Sequence, residues 1–301
     1  MDVTGDGIAD IISGDYVADK ERQKGLAYQY VIAGKADGSY AKPVPIKAAD
    51  GKALVLPGLN GKDRYDISSI CTHPFACDWD GDGDLDLLVG NFQGTFYLAE
   101  NTGNAGAPAW QAQGEWIQGG SDKLLGLGQK KIRHSAPFVI DWDDDGDLDI
   151  LSGDSSGGVF WAKNSGTREA PVFDDFEELI AKPNNQDLSK RIDHDEQISP
   201  GTSTRLWVTD VNDDGIHDLL VGDLRKLNRK KDDLSEEEFT RLQTEYDAKM
   251  TTLNKERSEM GPDAPKEKMQ KFYQRYHSLH NTRKEFLASE RTGFVWLYLG
   301  Q

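Results

Sequence analysis

Four acidic loops, each trailed by a short apolar run ending in glycine, predict an all-β chain assembled from repeats. A change of hydrophobic period from two to 3.6 after residue 225 predicts an α-helical hairpin inserted into the last repeat. The clearest loop is Asp141-Trp142-Asp143-Asp144-Asp145-Gly146-Asp147-Leu148-Asp149, followed by Ile150-Leu151-Ser152-Gly153. Carboxylates at positions one, three, five and nine surround a glycine at position six, which permits a sharp backbone turn. Oxygens at the odd positions of a tight loop converge on one point, a geometry suited to a hard cation, Ca²⁺ before Mg²⁺.

The other copies start at Asp78, Asp210 and Asp2. They place Asp78, Asp80, Asp82 and Asp86, then Asp210, Asn212, Asp214 and Asp218, then Asp2, Thr4, Asp6 and Asp10 at the same positions. Thr4 offers a neutral hydroxyl where the others have Asp or Asn, so the first site is expected to bind most weakly. An EF-hand needs a bidentate acid at position twelve and flanking helices. Here that position is Ser13, Val89, Ser152 or Val221, and strand-like runs follow, which excludes it.

Residues 78–110 and 141–173 align without a gap at an offset of 63. Both read as a metal loop, an apolar strand, an aromatic strand (95–99 and 158–162) and an Asn-[Thr/Ser]-Gly turn running to a proline and an aromatic residue. Upstream, Pro74-Phe75-Ala76-Cys77 and Pro137-Phe138-Val139-Ile140 supply an innermost strand. A repeat of 60–70 residues with three or four short strands has the size of a propeller blade. The first copy lacks an opening strand and keeps a third-strand candidate at 25–31; the fourth opens at 204–209 and closes at 293–299. The domain reading is therefore repeats over 1–224, a helical insertion over 225–291 and a closing strand over 292–301.

Within the insertion, Ser235-Glu236-Glu237-Glu238 is a capping box, and Phe239, Leu242, Tyr246, Met250 and Leu253 recur at helical spacing. After Gly261-Pro262-Asp263, a second helix of similar length, ~25 residues, is marked by Met269, Phe272, Tyr276, Leu279 and Phe286. Two helices alone leave such stripes half covered, so residues 226–291 are expected to act as a protein-interaction or self-association element.

The chain carries 35 basic and 52 acidic residues, a net charge of −17, which argues against nucleic-acid partners and an anionic membrane surface. Four bound Ca²⁺ would leave about −9, so part of the imbalance reads as ligand charge. No apolar run approaches the ~20 residues of a membrane span. The first loop begins at Asp2 with no strand ahead of it, which reads either as a compact natural start or, preferred, as a sequence cut inside its first repeat, where a signal peptide could have been lost with the missing strand. Cys71 and Cys77, if in one strand, would lie roughly 20 Å apart; a disulfide needs Cys71 in the preceding turn, and free thiols are expected.

Trp79, Trp142, Trp207 and Trp296 are candidate carbohydrate platforms, with packing between blades favoured for the two that flank metal ligands. His73, His134 and Arg205 precede their loops near the start of each innermost strand, where they are either plain rim residues or a ligand-binding mouth. The polar run Arg191–Glu196 reads as a solvated loop. No nucleophile elbow, HExxH, phosphate loop or cysteine-rich zinc pattern is present.

The D-x-[DNT]-x-D-G-x-x-D-[LI] loops and their trailing apolar runs resemble the FG-GAP/VCBS repeat family of calcium-binding β-propellers, also found in integrin α-subunit heads. The resemblance covers the chain apart from 225–291 and implies up to four Ca²⁺. It implies ligation by Asp2, Thr4, Asp6, Asp10, Asp78, Asp80, Asp82, Asp86, Asp141, Asp143, Asp145, Asp149, Asp210, Asn212, Asp214 and Asp218, with Asp84, Asp147 and Ile216 contributing position-seven carbonyls. The expected job is a non-catalytic binding, adhesion or scaffold module, secreted, periplasmic or at the cell surface, with a protein or carbohydrate ligand. The alternative is a carbohydrate-active enzyme such as a polysaccharide lyase.

Overall fold

The computed structural model describes residues 1–16, 27–59, 66–119, 123–127, 134–181, 197–261 and 265–300. It contains five antiparallel sheets and two α-helices in two compact units. Unit one is Met1–Pro183, Pro200–Asp223 and Phe294–Gln301; unit two is Asn184–Ser199 and Leu224–Gly293.

The first sheet runs β1 (Ile11–Ser13), β2 (Tyr30–Ile32), β3 (Val44–Pro45). The second runs β4 (His73–Cys77), β5 (Asp86–Gly90), β6 (Phe96–Ala99), β7 (Glu115–Trp116), and a two-stranded sheet joins β8 (Gln118–Gly119) to β9 (Lys123–Leu124). The next four-stranded sheet runs β10 (Ala136–Ile140), β11 (Asp149–Gly153), β12 (Val159–Ala162), β13 (Glu177–Ile180). Last come β14 (Thr202–Thr209), β15 (Asp218–Lys230), β16 (Leu287–Thr292) and β17 (Val295–Tyr298). Register repeats with the sequence: His73 faces Gly90 and Leu87 faces Ala99, as Ala136 faces Gly153 and Ile150 faces Ala162.

The uninterrupted apolar runs after each loop follow from burial on both faces. Alternate side chains of a strand point to opposite faces. Leu87 and Val89 pack with Ile46, Leu54 and Leu56 of the first repeat, while Leu88 packs toward Val139, Ile150 and Phe160. Along β11, Ile150 joins the cluster with Leu88, and Leu151 joins Val208, Leu219 and Val221 of the fourth repeat. Sheets therefore stack face to face in chain order; among the described residues no hydrophobic cluster joins the first sheet to the fourth.

The glycines that end the first three runs set the spacing of that stack. A Cβ on Gly14, Gly90 or Gly153 would lie 1.9, 2.4 or 2.3 Å from the backbone oxygen of Thr72, Ser135 or Thr204 in the next repeat. The residue after each glycine exchanges two hydrogen bonds with that same Ser or Thr. Its backbone N–H donates to the hydroxyl (Asp15 to Thr72 3.2 Å, Asn91 to Ser135 2.8 Å, Asp154 to Thr204 3.0 Å), and its carbonyl accepts the Ser or Thr backbone N–H.

Unit two departs from the expected pair of equal helices. β15 continues to Lys230, and Arg225–Lys230 pairs with Leu287–Thr292, so a β-ribbon precedes the helices. α1 (Glu236–Glu259) has 24 residues and is capped by Ser235, whose hydroxyl accepts Glu238 N–H. α2 (Lys266–Thr282) has only 17; a 3₁₀ turn at Arg283–Glu285 follows, and Phe286 folds back on Phe239 and Tyr246. Leu287–Thr292 pairs with β15 directly after this turn, and Lys231 N–H donates to the Phe286 carbonyl, so tertiary pairing overrides the helical spacing of Phe286.

The apolar stripes are half covered within unit two, with Leu242, Met250, Met269, Tyr276 and Leu279 only partly buried. Phe239, Tyr246, Phe286 and Leu287 form one buried cluster, and Leu253, Met260 and Phe272 another, each closed by residues of unit two. Pro262 and Asp263 of the helix break, Gly25 and Leu26 of the third-strand candidate, and the run Arg191–Glu196 lie outside the described residues.

Candidate metal loops and a pocket between sheets

All four loops close in the same way. The position-nine aspartate opens the strand after the loop, so its side chain turns back under the loop and is buried. One carboxylate oxygen accepts the backbone N–H of position two: Val3 2.9, Trp79 2.9, Trp142 3.2 and Val211 2.8 Å. The other accepts a backbone N–H just past the third strand: Gly34 2.9, Asn101 2.7, Asn164 2.7 and Gly300 2.8 Å. Asp10, Asp86, Asp149 and Asp218 thus staple each loop to its own hairpin, a role the ligand pattern in the sequence did not reveal. Burial pushes the Asp86 carboxyl up to about 6 despite these bonds.

Positions one and five shape the turn itself. Asp2, Asp78, Asp141 and Asp210 accept N–H groups from residues three to five further on. Asp6, Asp82, Asp145 and Asp214 each accept the N–H two residues on. The result brings carboxylate oxygens of Asp78, Asp80 and Asp82 within 4.8 Å of one another, and likewise those of Asp141, Asp143 and Asp145. In the fourth loop Asn212 Nδ2 donates to Asp214 at 2.8 Å. At position seven, Oδ1 of Asp84 and of Asp147 is buried without a hydrogen-bond partner. Burial, then the neighbouring loop carboxylates, hold both acids above their ordinary range.

This donor set fits a hard cation: three convergent carboxylates, a buried unsatisfied oxygen nearby, and staple oxygens that each keep a second lone pair. Two loops also meet a cationic side chain. Lys163 bridges Asp143 and Asp145, and Arg168 donates to the Asp78 carbonyl while lying 3.4 Å from its carboxylate. Each of the first three loops is buttressed by the following repeat, since Ala105 crowds Gly5, Arg168 crowds Gly81, and His217 Nε2 lies 3.0 Å from the Asp141 carbonyl.

The tryptophans divide by position. Trp79 is buried against Phe173 of the next repeat, and Trp142 stacks on His217 of the next loop. Trp207 is exposed beside Phe138, and Trp296 Nε1 donates to Asp223.

The Ser/Thr clamps gather the starts of β4, β10 and β14 around a pocket of about 380 Å³. His73 and Arg205 line it, an Arg205 N–H meeting His73 Nε2 at 2.8 Å, while His134 lies outside the lining and faces Arg205 electrostatically. Sequence reading missed Cys71, weighed only as a disulfide partner. Both cysteines are free, and the Cys71 thiol lies 4.0 Å from His73 Nε2 and 3.8 Å from His134 Nδ1. The register supplies the signal, because Cys71 and His134 are equivalent positions, as are His73 and Arg205. Cys71 sits in the turn before β4 at φ 53, as the equivalent Ser203 does at φ 56. Burial, then Arg205 and His134, lower His73 to about 3; burial raises the Cys71 thiol and lowers His134 and Arg205.

No helix among the described residues is long and apolar enough to cross a membrane. No known protein family and no curated protein matches the chain.

Proposed function

We propose that this protein is a calcium-stabilised β-propeller of FG-GAP/VCBS type, acting outside the cell as a non-catalytic binding or adhesion module. The observation that carries the reading is the convergence of the position-one, -three and -five carboxylates in the loops at 78–82 and 141–145. The ordered stacking of four sheets supports treating them as blades. Asp78, Asp80 and Asp82, and Asp141, Asp143 and Asp145, would hold the ion directly, with Asp210, Asn212 and Asp214, and Asp2, Thr4 and Asp6, as their counterparts. Bound Ca²⁺ supplies positive charge to loops that otherwise repel themselves, pinning the strands on either side. Exposed acidic loops suit the weak calcium sites of extracellular modules, ~10⁻⁴–10⁻³ M.

A second reading, an enzyme acting on acidic polysaccharide, is favoured by the Arg205–His73–His134 cluster. Its weakness is the base: an imidazole held near 3 is far from the poise that proton abstraction at neutral pH requires. Binding without turnover therefore stands first.

Terbium, a luminescent stand-in for Ca²⁺, tests the metal assignment, because Trp79 and Trp142 flank the ligands and can sensitise it. Tryptophan-excited terbium emission is expected, displaced by Ca²⁺ and strongly reduced in Asp80→Ala with Asp143→Ala. Emission that is absent, or unchanged in the double variant, would remove these loops as sites.

A further inference from the structure

We propose that the pocket where β1 meets the starts of β4, β10 and β14 binds a single carboxylate group, anchored by the Arg205 guanidinium. A guanidinium has five N–H donors, and here one goes to the Thr204 carbonyl at 2.7 Å and one to His73 Nε2 at 2.8 Å. Three remain, and Arg205 forms no ion pair among the described residues. Buried or half-buried cations are ordinarily matched by a carboxylate, since an uncompensated charge is costly away from water. Among the described residues no carboxylate pairs with this guanidinium, Asp15 of the pocket lining included, so its remaining donors are open to a ligand carboxylate.

The charge of the site selects the class. His73 and His134 are both kept neutral by burial and by the guanidinium, and the Cys71 thiol is kept protonated by burial. The guanidinium is the one cation in the lining and Asp15 the one acid, so the lining favours a singly charged guest over a phosphate dianion. The other nearby acid, Asp154, is occupied by Ser156 and by the N–H groups of Gly157 and Gly158. Tyr16, exposed at the rim, adds a hydroxyl, while Pro74 and Pro137 give an apolar wall. A volume of about 380 Å³ accommodates a sugar acid as well as a small free acid.

The test titrates the full chain with D-galacturonate, D-galactose, acetate and inorganic phosphate by calorimetry and amide shift mapping. Galacturonate and acetate are expected to bind and galactose not to; tighter binding of galacturonate identifies a sugar acid, and equal binding a free organic acid. Arg205→Gln is expected to weaken both acids by about tenfold or more, the loss of a charge-assisted pair. Should that variant fail to fold, wild-type shifts at Thr72, Ala136 and Leu206 report the same site, and the exposed Tyr16→Phe should weaken binding without unfolding. Equal binding of galactose, preference for phosphate, no binding of either acid, undiminished binding by folded Arg205→Gln, or shifts clustered elsewhere would each overturn the proposal. The assay reads the pocket and not the acidic loops, so it can fail while the calcium reading stands.

Discussion

Asp86→Ala is expected to destabilise the protein by about 2–5 kcal/mol even with no metal in solution, because it orphans two buried backbone N–H groups at once. Those groups belong to Trp79, at the start of the loop, and to Asn101, past the third strand, so both ends of the hairpin lose their tie. Asp80→Ala is the control. Asp80 is exposed and its loss removes a proposed cation ligand and one turn bond, so in chelator its cost should stay within about 1 kcal/mol. Urea unfolding of both variants in chelator separates staple from ligand. Equal costs would mean that position nine acts only through metal.

Gly90→Ala is expected to cost about 1–3 kcal/mol or more, the range for forcing atoms into a packed interior. The new methyl would stand 2.4 Å from the Ser135 carbonyl oxygen, and backbone on both sides would have to separate. Gly153→Ala should behave alike against Thr204, at 2.3 Å. Gly222→Ala is the internal comparison, since its nearest neighbour is the Arg205 carbonyl oxygen at 3.8 Å, an ordinary contact. Melting curves should show a marked loss for the first two and little change for the third. Three equal shifts would contradict the idea that these glycines set the spacing between sheets.

The contrast between these two devices explains what the sequence makes legible. The loops and the trailing glycines recur at fixed offsets, so both stand out without any structure. Why the glycine is there does not, because the oxygen it accommodates lies in another repeat some 45–60 residues away. The position-nine aspartate is legible as an acid but not as a staple, since its partners are backbone N–H groups that carry no residue identity.

Short fourth strands were invisible for a related reason. β7 is two residues, Glu115 and Trp116, and β13 opens on exposed Glu177 and Glu178, so neither shows an apolar alternation. In unit two, Phe286 continues a 3.6 spacing and reads as helix, whereas the partner strand that ends the helix is some 60 residues earlier. The same folding back buries Phe286 with Phe239 and Tyr246, while Leu242, Met250, Met269, Tyr276 and Leu279 stay only partly buried. His73 and Arg205 were legible because they occupy one repeated position, and Cys71 became legible only through the register it shares with His134.

The central claim is that the acidic loops are metal sites that hold the sheets in register, and thermal unfolding tests it most directly. Ca²⁺ binding only to the folded chain stabilises by about 2.7 kcal/mol per site at a hundredfold excess over Kd. The account predicts that a chelator lowers the melting temperature, that Ca²⁺ restores it, and that Mg²⁺ at the same concentration restores it less. A melting curve indifferent to chelator and to added Ca²⁺ would contradict it.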